Sequence, residues 1–402
     1  MSGTRISNLF GGFTVLVDIC CLVIGGFAVD TALALSGLGT EEDPWRIQSL
    51  ADFNEFAADA NYWDDYTRLM TDVDLGGRIY SEAVIAPDVN NFKDGFQGTA
   101  FTGVFDGNGY EIINLTINGG STDYLGLFGY VNEGEVGNLG IEGGSFRGNI
   151  AVGSLAGGNL YGIISNCYST ASVSGGDNSG LIGGLLGFSY AGIVSNCYST
   201  GDVDGFEEVG GLVGDNFYGS FSNCYSTGDV NGVWYVGGLV GVNYDNVSNC
   251  YSTGDVSGLG FVGGLMGRNG DIISDCFWDT DTQTHGVTTS IGENLGTATN
   301  VAGLTTTQMQ TKSNFTDAGW DFVNIWDICE GTNYPRLLWQ IPMVDFFCPN
   351  GIDFFDFSFF AGYWQEGNCG ASNDCDGTDL DLSGTVEIND LRIFVDNWLR
   401  DF

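Results

Sequence analysis

Residues 209–258 read VGGLVGDNFYGSFSNCYSTGDVNGVWYVGGLVGVNYDNVSNCYSTGDVSG and so spell one unit twice. Six variants of this unit begin 26 to 30 residues apart, at Leu125, Val152, Ile182, Val209, Val236 and Val262. Each contains glycine pairs, β-branched and aromatic residues, and apolar runs of only three to five residues. Such short runs favour strands over helices, and one unit cannot bury its own apolar face. The sequence therefore predicts an all-β fold, a right-handed parallel β-helix (β-solenoid) with coils about 4.8 Å apart.

Aligning the units produces vertical rows of equivalent residues. One row is polar and comprises Asn114, Asn138, Asn166, Asn196, Asn223 and Asn249, followed by Asp275. Stacked amides hydrogen-bond along a solenoid axis and tolerate tight turns, so this row predicts a corner. The next row changes from leucine to cysteine and comprises Leu115, Leu139, Cys167, Cys197, Cys224, Cys250 and Cys276. The exchange favours buried thiols over disulfides between coils.

An aromatic row follows the cysteines and comprises Tyr168, Tyr198, Tyr225 and Tyr251. Successive residues of a strand point to opposite sides, so a buried cysteine row places these tyrosines on the outer surface. The row could stack against sugar rings of a polysaccharide, or it could only shield a corner of the solenoid. Both interpretations predict tyrosines that are partly exposed.

The segments VGGLVGDNFYGSFSNCYSTGDVNG and VGGLVGVNYDNVSNCYSTGDVSG resemble GLUG motifs, a repeat of bacterial secreted and cell-surface proteins. The resemblance covers residues 123–284 and implies a β-solenoid there, but it implies no activity. Residues 35–122 resemble the N-terminal cap and first coils of such solenoids. Residues 285–341 depart from the repeat, are rich in tryptophan, and are interpreted as the closing segment.

The N-terminal cap is expected to include a short helix. Ser49 and Asp52 have the spacing of a capping box, and Phe53 and Phe56 lie on one apolar helical face with Leu50. A helix at this place would cover the open end of the solenoid, where unpaired strand edges invite aggregation.

Residues 1–34 have the pattern of a signal peptide. Arg5 precedes an apolar stretch that ends in Ala32-Leu33-Ala34, a small-x-small cleavage pattern. Asp18 interrupts the stretch, which leaves a retained membrane anchor as an alternative. The expected location is therefore secreted, extracellular or at the cell surface.

The charge of the chain restricts its partners. The 51 acidic and 11 basic residues give a formal net charge of −40. Nucleic-acid binding depends on Lys and Arg that neutralise phosphates, so DNA and RNA are not expected as partners. A large net charge of one sign also favours a soluble monomer.

The sharpest chemical signal is DLDLSGTVEIND, which begins at Asp379. Oxygen donors stand at positions 1, 3, 5, 9 and 12 with glycine at position 6, which is the spacing of a calcium-binding loop. The expected Ca²⁺ ligands are the side chains of Asp379, Asp381 and Ser383, the Thr385 carbonyl, Glu387 through water, and Asp390 in bidentate fashion.

Residues 342–402 as a whole resemble a dockerin, a duplicated calcium module that docks secreted polysaccharide-processing proteins onto cohesins. The resemblance implies a cohesin-like or cell-surface partner. In the first half, Phe347 and Pro349 occupy two ligand positions, so residues 345–356 are expected to bind calcium weakly or not at all. The helix predicted for FDFSFFAGYW either packs on the second helix or presents phenylalanines to a partner.

Export makes disulfides possible, because the compartment is oxidising. Cys348, Cys369 and Cys375 flank the C-terminal module and are the preferred candidates, whereas Cys329 is expected to remain free.

No catalytic residue is predicted. His285 is the only histidine, so the HExxH zinc motif is absent. Asp202, Asp229 and Asp255 recur at equivalent positions, which is typical of turn residues, whereas a catalytic pair has differently tuned members. The sequence favours a non-catalytic extracellular adhesion or binding protein that contacts polysaccharide or a cell surface. The alternative is a β-helix polysaccharide hydrolase or lyase, which an isolated pair of carboxylates in a groove would favour.

Overall fold

The computed structural model of this protein describes residues 35–91, 93, 95–347, 351–369 and 373–398. The predicted signal peptide, Cys348 and Pro349 lie outside the described residues. Most of the described chain winds through three parallel sheets, so the predicted β-solenoid is confirmed.

The first sheet contains two rows of strands on either side of the asparagine corner. The row before the corner comprises Trp45–Ile47, Tyr66–Leu69, Val104–Asp106, Glu135–Gly137, Ile163–Ser165, Ile193–Ser195, Ser220–Ser222, Asn246–Ser248, Ile272–Asp279 and Thr297–Leu304. The row after it comprises Val73–Asp74, Glu111–Ile113, Gly140–Glu142, Tyr168–Ser169, Tyr198–Ser199, Tyr225–Ser226 and Tyr251–Ser252, and it continues on the C-terminal parts of the two longest strands of the first row.

The second and third sheets complete each coil. The second sheet comprises Ile79–Tyr80, Thr116–Asn118, Ser145–Val152, Ser172–Gly183, Val203–Asp204, Val230–Asn231, Val256–Ser257, Glu207–Gly210, Trp234–Gly237 and Gly260–Gly263. The third comprises Phe128–Asn132, Ala156–Leu160, Leu186–Tyr190, Val213–Phe217, Val240–Asn243, Met266–Asn269 and Ile291–Asn294. Inward side chains of all three sheets form one continuous apolar core.

The asparagine corner is confirmed for the copies from Asn138 onward. The residues immediately before the members of this row, from Gly137 to Thr299, are paired with one another in parallel register. The row therefore continues to Asn300. From Asn138 to Asp275 the row has φ between +51° and +55°, the left-handed conformation that asparagine tolerates better than most residues. The side-chain amide of Asn166 donates to Asn138 Oδ1 at 3.0 Å.

The placement of Asn114 in this row is wrong. Ile113 pairs with Glu142, so Asn114 and the following Leu115 lie one corner further along the coil. The Asn114 amide donates to Asp74 Oδ1 at 3.0 Å instead of joining the row. Its φ of +58° shows that this second corner also needs a left-handed residue, which is why asparagine occurs at both corners.

The cysteine row lies in the core, as expected. Cys167, Cys197, Cys224, Cys250 and Cys276 are fully buried free thiols. Each sulfur atom contacts a carbonyl oxygen of its own coil, as in the contact of Cys197 with Ser195 O at 3.2 Å, and four of the five also contact the preceding coil. They therefore serve as small core residues that link no two coils covalently.

A helix covers the N-terminal end of the stack. The predicted capping helix spans Leu50–Ala58, where Asp52 N donates to Ser49 Oγ and Gln48 N donates to the Asp52 carboxylate. Phe56 is buried, with its ring 5.5 Å from that of Phe105 in an early coil. A 3₁₀ turn, Ala60–Tyr62, follows the helix.

At the C-terminal end the parallel stack continues further than predicted. The strands Ile291–Asn294 and Thr297–Leu304 add another coil, although the closing segment was expected from residue 285. The non-repetitive structure that follows comprises the helices Thr306–Met309 and Lys312–Thr316, the antiparallel strands Trp326–Asp327 and Arg336–Leu337, and the 3₁₀ turn Leu338–Gln340. We call residues 305–341 the closing segment below.

The C-terminal module has its own apolar core. Its helices are Phe354–Gly362, Asn373–Asp376 and Ile388–Trp398. The buried Ile352, Phe360, Val386 and Phe394 form a cluster that is separate from the solenoid core.

Two further cysteine predictions meet different outcomes. Cys369 and Cys375, two of the three preferred candidates, form a disulfide. The expectation that Cys329 remains free is wrong, because Cys329 is disulfide-bonded. Its position in the tryptophan-rich closing segment, away from the repeats, gave no indication of this bond.

Candidate functional sites

The predicted tyrosine row forms a stack of nearly parallel rings. Ring centroids are 4.9 Å apart between Tyr168 and Tyr198, 4.9 Å between Tyr198 and Tyr225, and 4.8 Å between Tyr225 and Tyr251. The strands pair in register, so each ring lies directly over the equivalent ring of the next coil.

The expected exposure of this row is wrong for its C-terminal half. Tyr225 is 5% exposed and Tyr251 is 1% exposed, because the closing segment folds back over them. The Tyr251 ring lies 6.1 Å from that of Trp326, and its hydroxyl donates to Pro335 O at 2.7 Å. These two tyrosines therefore cannot stack on a sugar from solvent.

The N-terminal half of the row remains half-buried. The Tyr168 hydroxyl hydrogen-bonds the Glu111 carboxylate, and Trp339 lies at the edge of the closing segment with its ring 5.8 Å from that of Tyr198. Burial raises the pKa of Tyr198 to about 12. The phenol is thus neutral, and of the four tyrosines only Tyr168 and Tyr198 line an open cleft.

The predicted calcium loop brings three carboxylates together. Asp379, Asp381 and Asp390 each offer an oxygen, and these oxygens lie within 4.8 Å of one another. Asp379 and Asp390 are buried, whereas Asp381 is exposed. This is the only such cluster of His, Cys, Asp or Glu among the described residues.

Backbone amides hold the loop in shape. Gly384 N donates to Asp379 Oδ2 at 2.8 Å, and Ser383 N donates to Asp381 Oδ1 at 3.0 Å. Gly384 has φ of +90°, a conformation that other residues rarely adopt, which explains glycine at position 6. Hydrogen bonds from Ser383 hold the pKa of Asp381 below its usual value, so this carboxylate stays charged.

The oxygen donors of the loop fit a hard cation such as Ca²⁺. Ser383 Oγ lies 3.2 Å from the Thr385 carbonyl oxygen, so the two further predicted ligands are adjacent. The Glu387 backbone amide donates to Asp390 Oδ2 at 2.7 Å, which orients the carboxylate at position 12. A bound cation would neutralise three carboxylates that otherwise repel one another.

In the first half of the C-terminal module, only the last position of the calcium-loop arrangement is retained. Asp356 is buried and accepts hydrogen bonds from Phe346 N and Asp353 N, both at 2.8 Å. The bond from Asp353 N matches the bond that Glu387 N makes to the carboxylate at position 12. The exposed Phe347 stands where the second loop has a ligand.

The phenylalanine-rich helix has two faces, one packed on the second helix as one of the two interpretations expected, and one exposed. Phe360 is buried with its ring 5.2 Å from that of Phe394 in the second helix. Phe354 and Phe355 are 76% and 74% exposed. Two large apolar side chains are thus presented to solvent in the module that carries the calcium loop.

The recurring aspartates act as turn residues. Asp229 N donates to Asp202 Oδ1 at 3.0 Å, and Asp255 N donates to Asp229 Oδ1 at 2.9 Å. The last member, Asp255, accepts from Thr284 N and lies 2.9 Å from His285 Nδ1. Each carboxylate therefore caps the next coil.

The sequence-based reasoning missed a carboxylate pair formed by Asp215 of the third sheet and Glu208 of the second. Asp215 occupies a row in which the neighbouring coils have Phe188 and Val242. Its Oδ1 is shielded from solvent without a hydrogen-bond partner among the described residues. Burial and the nearby Glu208 raise the pKa of Asp215 to about 8. The available signal was an acid at a position where both neighbouring coils have an apolar residue.

A cation and aromatic rings surround this pair. The Arg268 guanidinium lies 5.6 Å from the Tyr235 ring centroid and 5.8 Å from that of Tyr244, and its Nε lies 3.1 Å from the Glu293 carboxylate. Burial and the adjacent Glu207 raise the pKa of Glu208 to about 6. Unlike the turn aspartates, the members of this cluster occur once and differ in their surroundings.

Asp215 gives a prediction for the pH dependence of stability. Its folded pKa of about 8 lies above the ordinary value of 3.8, so the folded state binds this proton more tightly than the unfolded state does. The contribution of Asp215 to stability is then complete below pH 3.8, falls as the pH rises above that value, and is lost once the pH passes about 8. The melting temperature of the wild type should therefore fall between pH 5 and pH 8.5 by an amount that depends on Asp215. We expect this fall to be smaller in Asp215→Asn. The exposed Asp64→Asn serves as the control, and an unchanged decline in Asp215→Asn would contradict the assignment.

Comparison with known families identifies the repeat. The family model described as "The GLUG motif" matches four segments, residues 148–174, 178–204, 207–231 and 232–257. These repeats are GLUG motifs. The matched range is narrower than the predicted residues 123–284, although the coils at both ends keep the parallel register of the GLUG coils.

Two curated relatives share part of this chain. Halomucin from Haloquadratum walsbyi is 33% identical over 150 residues, which is 36% of this chain and 2% of halomucin. A "Putative Gly-rich membrane protein" from Evansella cellulosilytica is 30% identical over 166 residues, which is 38% of this chain and 18% of that protein. The matched part is therefore a small fraction of either relative.

A solved structure has the same fold. The crystal structure of a "putative immunoglobulin A1 protease" from Bacteroides ovatus superposes with a TM-score of 0.55 at 20% identity, covering 75% of this chain and 94% of that one. At this identity the likeness shows the β-solenoid fold alone. Among the helices that the structure describes, none is long and apolar enough to cross a membrane.

Proposed function

We propose that this protein is a non-catalytic extracellular or cell-surface binding protein. Its GLUG solenoid is a rigid element that contacts polysaccharide or a cell surface, and its C-terminal module is a dockerin-like, calcium-dependent attachment device. The observation that carries the proposal is the pair of exposed phenylalanines, Phe354 and Phe355, in the module that also contains the Asp379–Asp390 loop. Exposed apolar side chains of this size mark interaction surfaces.

The similar proteins support the proposed location. Similarity to halomucin and to a protein named as a putative Gly-rich membrane protein agrees with a cell-surface location. The net charge of −40 suits a soluble extracellular chain and disfavours polyanionic partners. The proposed partner of the module is a cohesin-like protein or another cell-surface component.

Attachment through the module can be tested on the full chain. We expect it to bind at least one of a panel of immobilised cohesin modules in calcium, and to dissociate when EGTA is added. Phe354→Ser with Phe355→Ser should weaken binding by about 30-fold, the effect of losing a central anchor worth about 2 kcal/mol. The measurement is surface plasmon resonance.

The matched control for this test is Val323→Ser, which removes an apolar side chain that is 82% exposed on the closing segment. It should bind like the wild type. Failure of the wild type to bind any cohesin, or equal binding by the double variant, would contradict the docking role of this surface.

The second candidate function is a polysaccharide-degrading enzyme, and the acid pair Asp215 and Glu208 favours it. With a pKa of about 8 Asp215 keeps its proton at neutral pH, whereas Glu208 with a pKa of about 6 has lost it, which are the protonation states of a general acid and a general base. Release of reducing or unsaturated ends from a polysaccharide by the wild type, and its loss in Asp215→Asn, would establish this function over the first.

A further inference from the structure

A cleft of about 420 Å³ lies where the closing segment leaves the N-terminal end of the tyrosine row uncovered. This volume is within the range of roughly 300–1,000 Å³ that is usual for small-molecule sites. One wall is formed by the solenoid corner, with Asn108 and Asn138. The other wall is formed by Arg336, Trp339 and Gln340 of the closing segment.

The floor of the cleft is aromatic and held in place. The rings of Tyr168 and Tyr198 are 4.9 Å apart and inclined by only 6°. The Trp339 ring leans against both at 6.2 and 5.8 Å, and its indole N–H donates to Asn196 O at 3.1 Å. Trp339 is nevertheless 39% exposed, so part of its ring faces the cleft without a protein partner.

Planar polar side chains surround these rings and are fixed by internal hydrogen bonds. The Asn138 amide donates to Asp106 Oδ1 at 3.0 Å, and the Asn108 amide donates to Leu69 O at 3.2 Å. Gln340 Nε2 donates to the Tyr225 hydroxyl at 2.7 Å. Aromatic walls with a few positioned polar groups are the arrangement by which proteins orient small ligands.

The composition of the cleft selects the chemistry of its ligand. A pyranose ring has an apolar C–H face that can pack on an aromatic ring, and a rim of hydroxyls that can pair with amide and carboxylate groups. Among the residues that the structure describes, Arg336 is the one basic residue that lines the cleft, and the chain carries a net charge of −40. An anionic ligand would therefore be repelled over most of its approach.

We propose that this cleft binds an uncharged oligosaccharide, with Trp339 stacking on one sugar ring and Tyr168 and Tyr198 supporting it. The inference rests on the proposed binding function and names its site and ligand class. It also replaces the original hypothesis of a sugar-binding row of four tyrosines, two of which are covered.

The test is affinity electrophoresis of the full chain through gels that contain a β-glucan, xylan, mannan or, as the acidic probe, polygalacturonate. We expect at least one neutral polysaccharide to retard the wild type, and Trp339→Ala to reduce the affinity at least tenfold. Trp339→Phe, which keeps a ring, should retain most of the affinity. Trp234→Ala is the matched control, because Trp234 is 43% exposed on another face of the solenoid.

Melting temperatures of the three variants show whether the closing segment stays folded. No retardation of the wild type by any neutral polysaccharide, retardation by polygalacturonate alone, or equal affinity of a folded Trp339→Ala would overturn the proposal. Each of these results leaves the cohesin test with Phe354 and Phe355 unaffected. The two experiments therefore distinguish failure of the proposed sugar-binding cleft from failure of the proposed docking function.

Discussion

Tyr251→Ala is expected to lower the free energy of unfolding by about 3–5 kcal/mol, the usual cost of truncating a large buried aromatic side chain. Tyr251 is 1% exposed, and its ring stacks on that of Tyr225 at 4.8 Å. The closing segment contributes Trp320 and Trp326 to the same cluster and accepts the Tyr251 hydroxyl at Pro335 O. The variant leaves a cavity and an acceptor without its donor.

Urea unfolding followed by far-UV circular dichroism and tryptophan fluorescence measures this effect. Circular dichroism follows mainly the solenoid, which is mostly strand, whereas fluorescence reports on Trp320, Trp326 and Trp339 of the closing segment together with the six tryptophans elsewhere in the chain. Tyr161→Ala is the matched control, because Tyr161 is 53% exposed on the outer surface and should lose little stability. Equal midpoints for Tyr251→Ala and Tyr161→Ala would mean that the closing segment does not pack on the row.

The repeats determined how much of the fold could be predicted. One equivalent residue per coil must lie over its counterpart in the next coil, so the Asn138 row, the thiol row and the tyrosine stack all followed from sequence spacing. The error at Asn114 has a physical cause. Two corners of the early coils need a left-handed residue, and asparagine satisfies either one, so residue type alone could not distinguish them.

The burial of Tyr225 and Tyr251 could not be predicted in the same way. It depends on the path of residues 305–341, which have no repeat and hence no register with the coils they cover. Strand alternation correctly placed the tyrosines outside the solenoid core, but it does not say whether another part of the chain packs there. The three tryptophans of the closing segment were the available signal for such packing.

The acid pair was missed for a different reason. Comparing repeats draws attention to what recurs, such as Asp202, Asp229 and Asp255, whereas Asp215 and Glu208 occur in one coil only. In a solenoid a single binding or catalytic site must break the repeat, because identical coils offer identical surfaces. Departures from the consensus on outward positions are therefore more informative about function than the consensus itself.

The carboxylate cluster of Asp379, Asp381 and Asp390, in contrast, could be predicted, since its members are close in sequence and its geometry is set by local turns. We expect the full chain to bind one Ca²⁺ by isothermal titration calorimetry. The double substitution Asp379→Asn with Asp390→Asn removes two charged ligands. It should therefore weaken calcium binding by more than roughly 10–100-fold, which is the usual cost of losing one residue that only hydrogen-bonds a metal ligand. Calcium should also raise the melting temperature of the wild type but not of this variant.

Stoichiometry is the sharper part of this prediction. Phe347 occupies a ligand position in the first half of the module, so that half should contribute no second equivalent site. Asp64→Asn with Asp271→Asn is the control, because it removes the same charge from exposed positions of the solenoid. Two equal sites, or an affinity that the Asp379 and Asp390 substitutions leave unchanged, would show that calcium binds elsewhere. We expect one site that is lost when these two carboxylates are replaced and is retained in the control. This result would show that calcium binds in the loop and is not merely attracted by the overall negative charge of the chain.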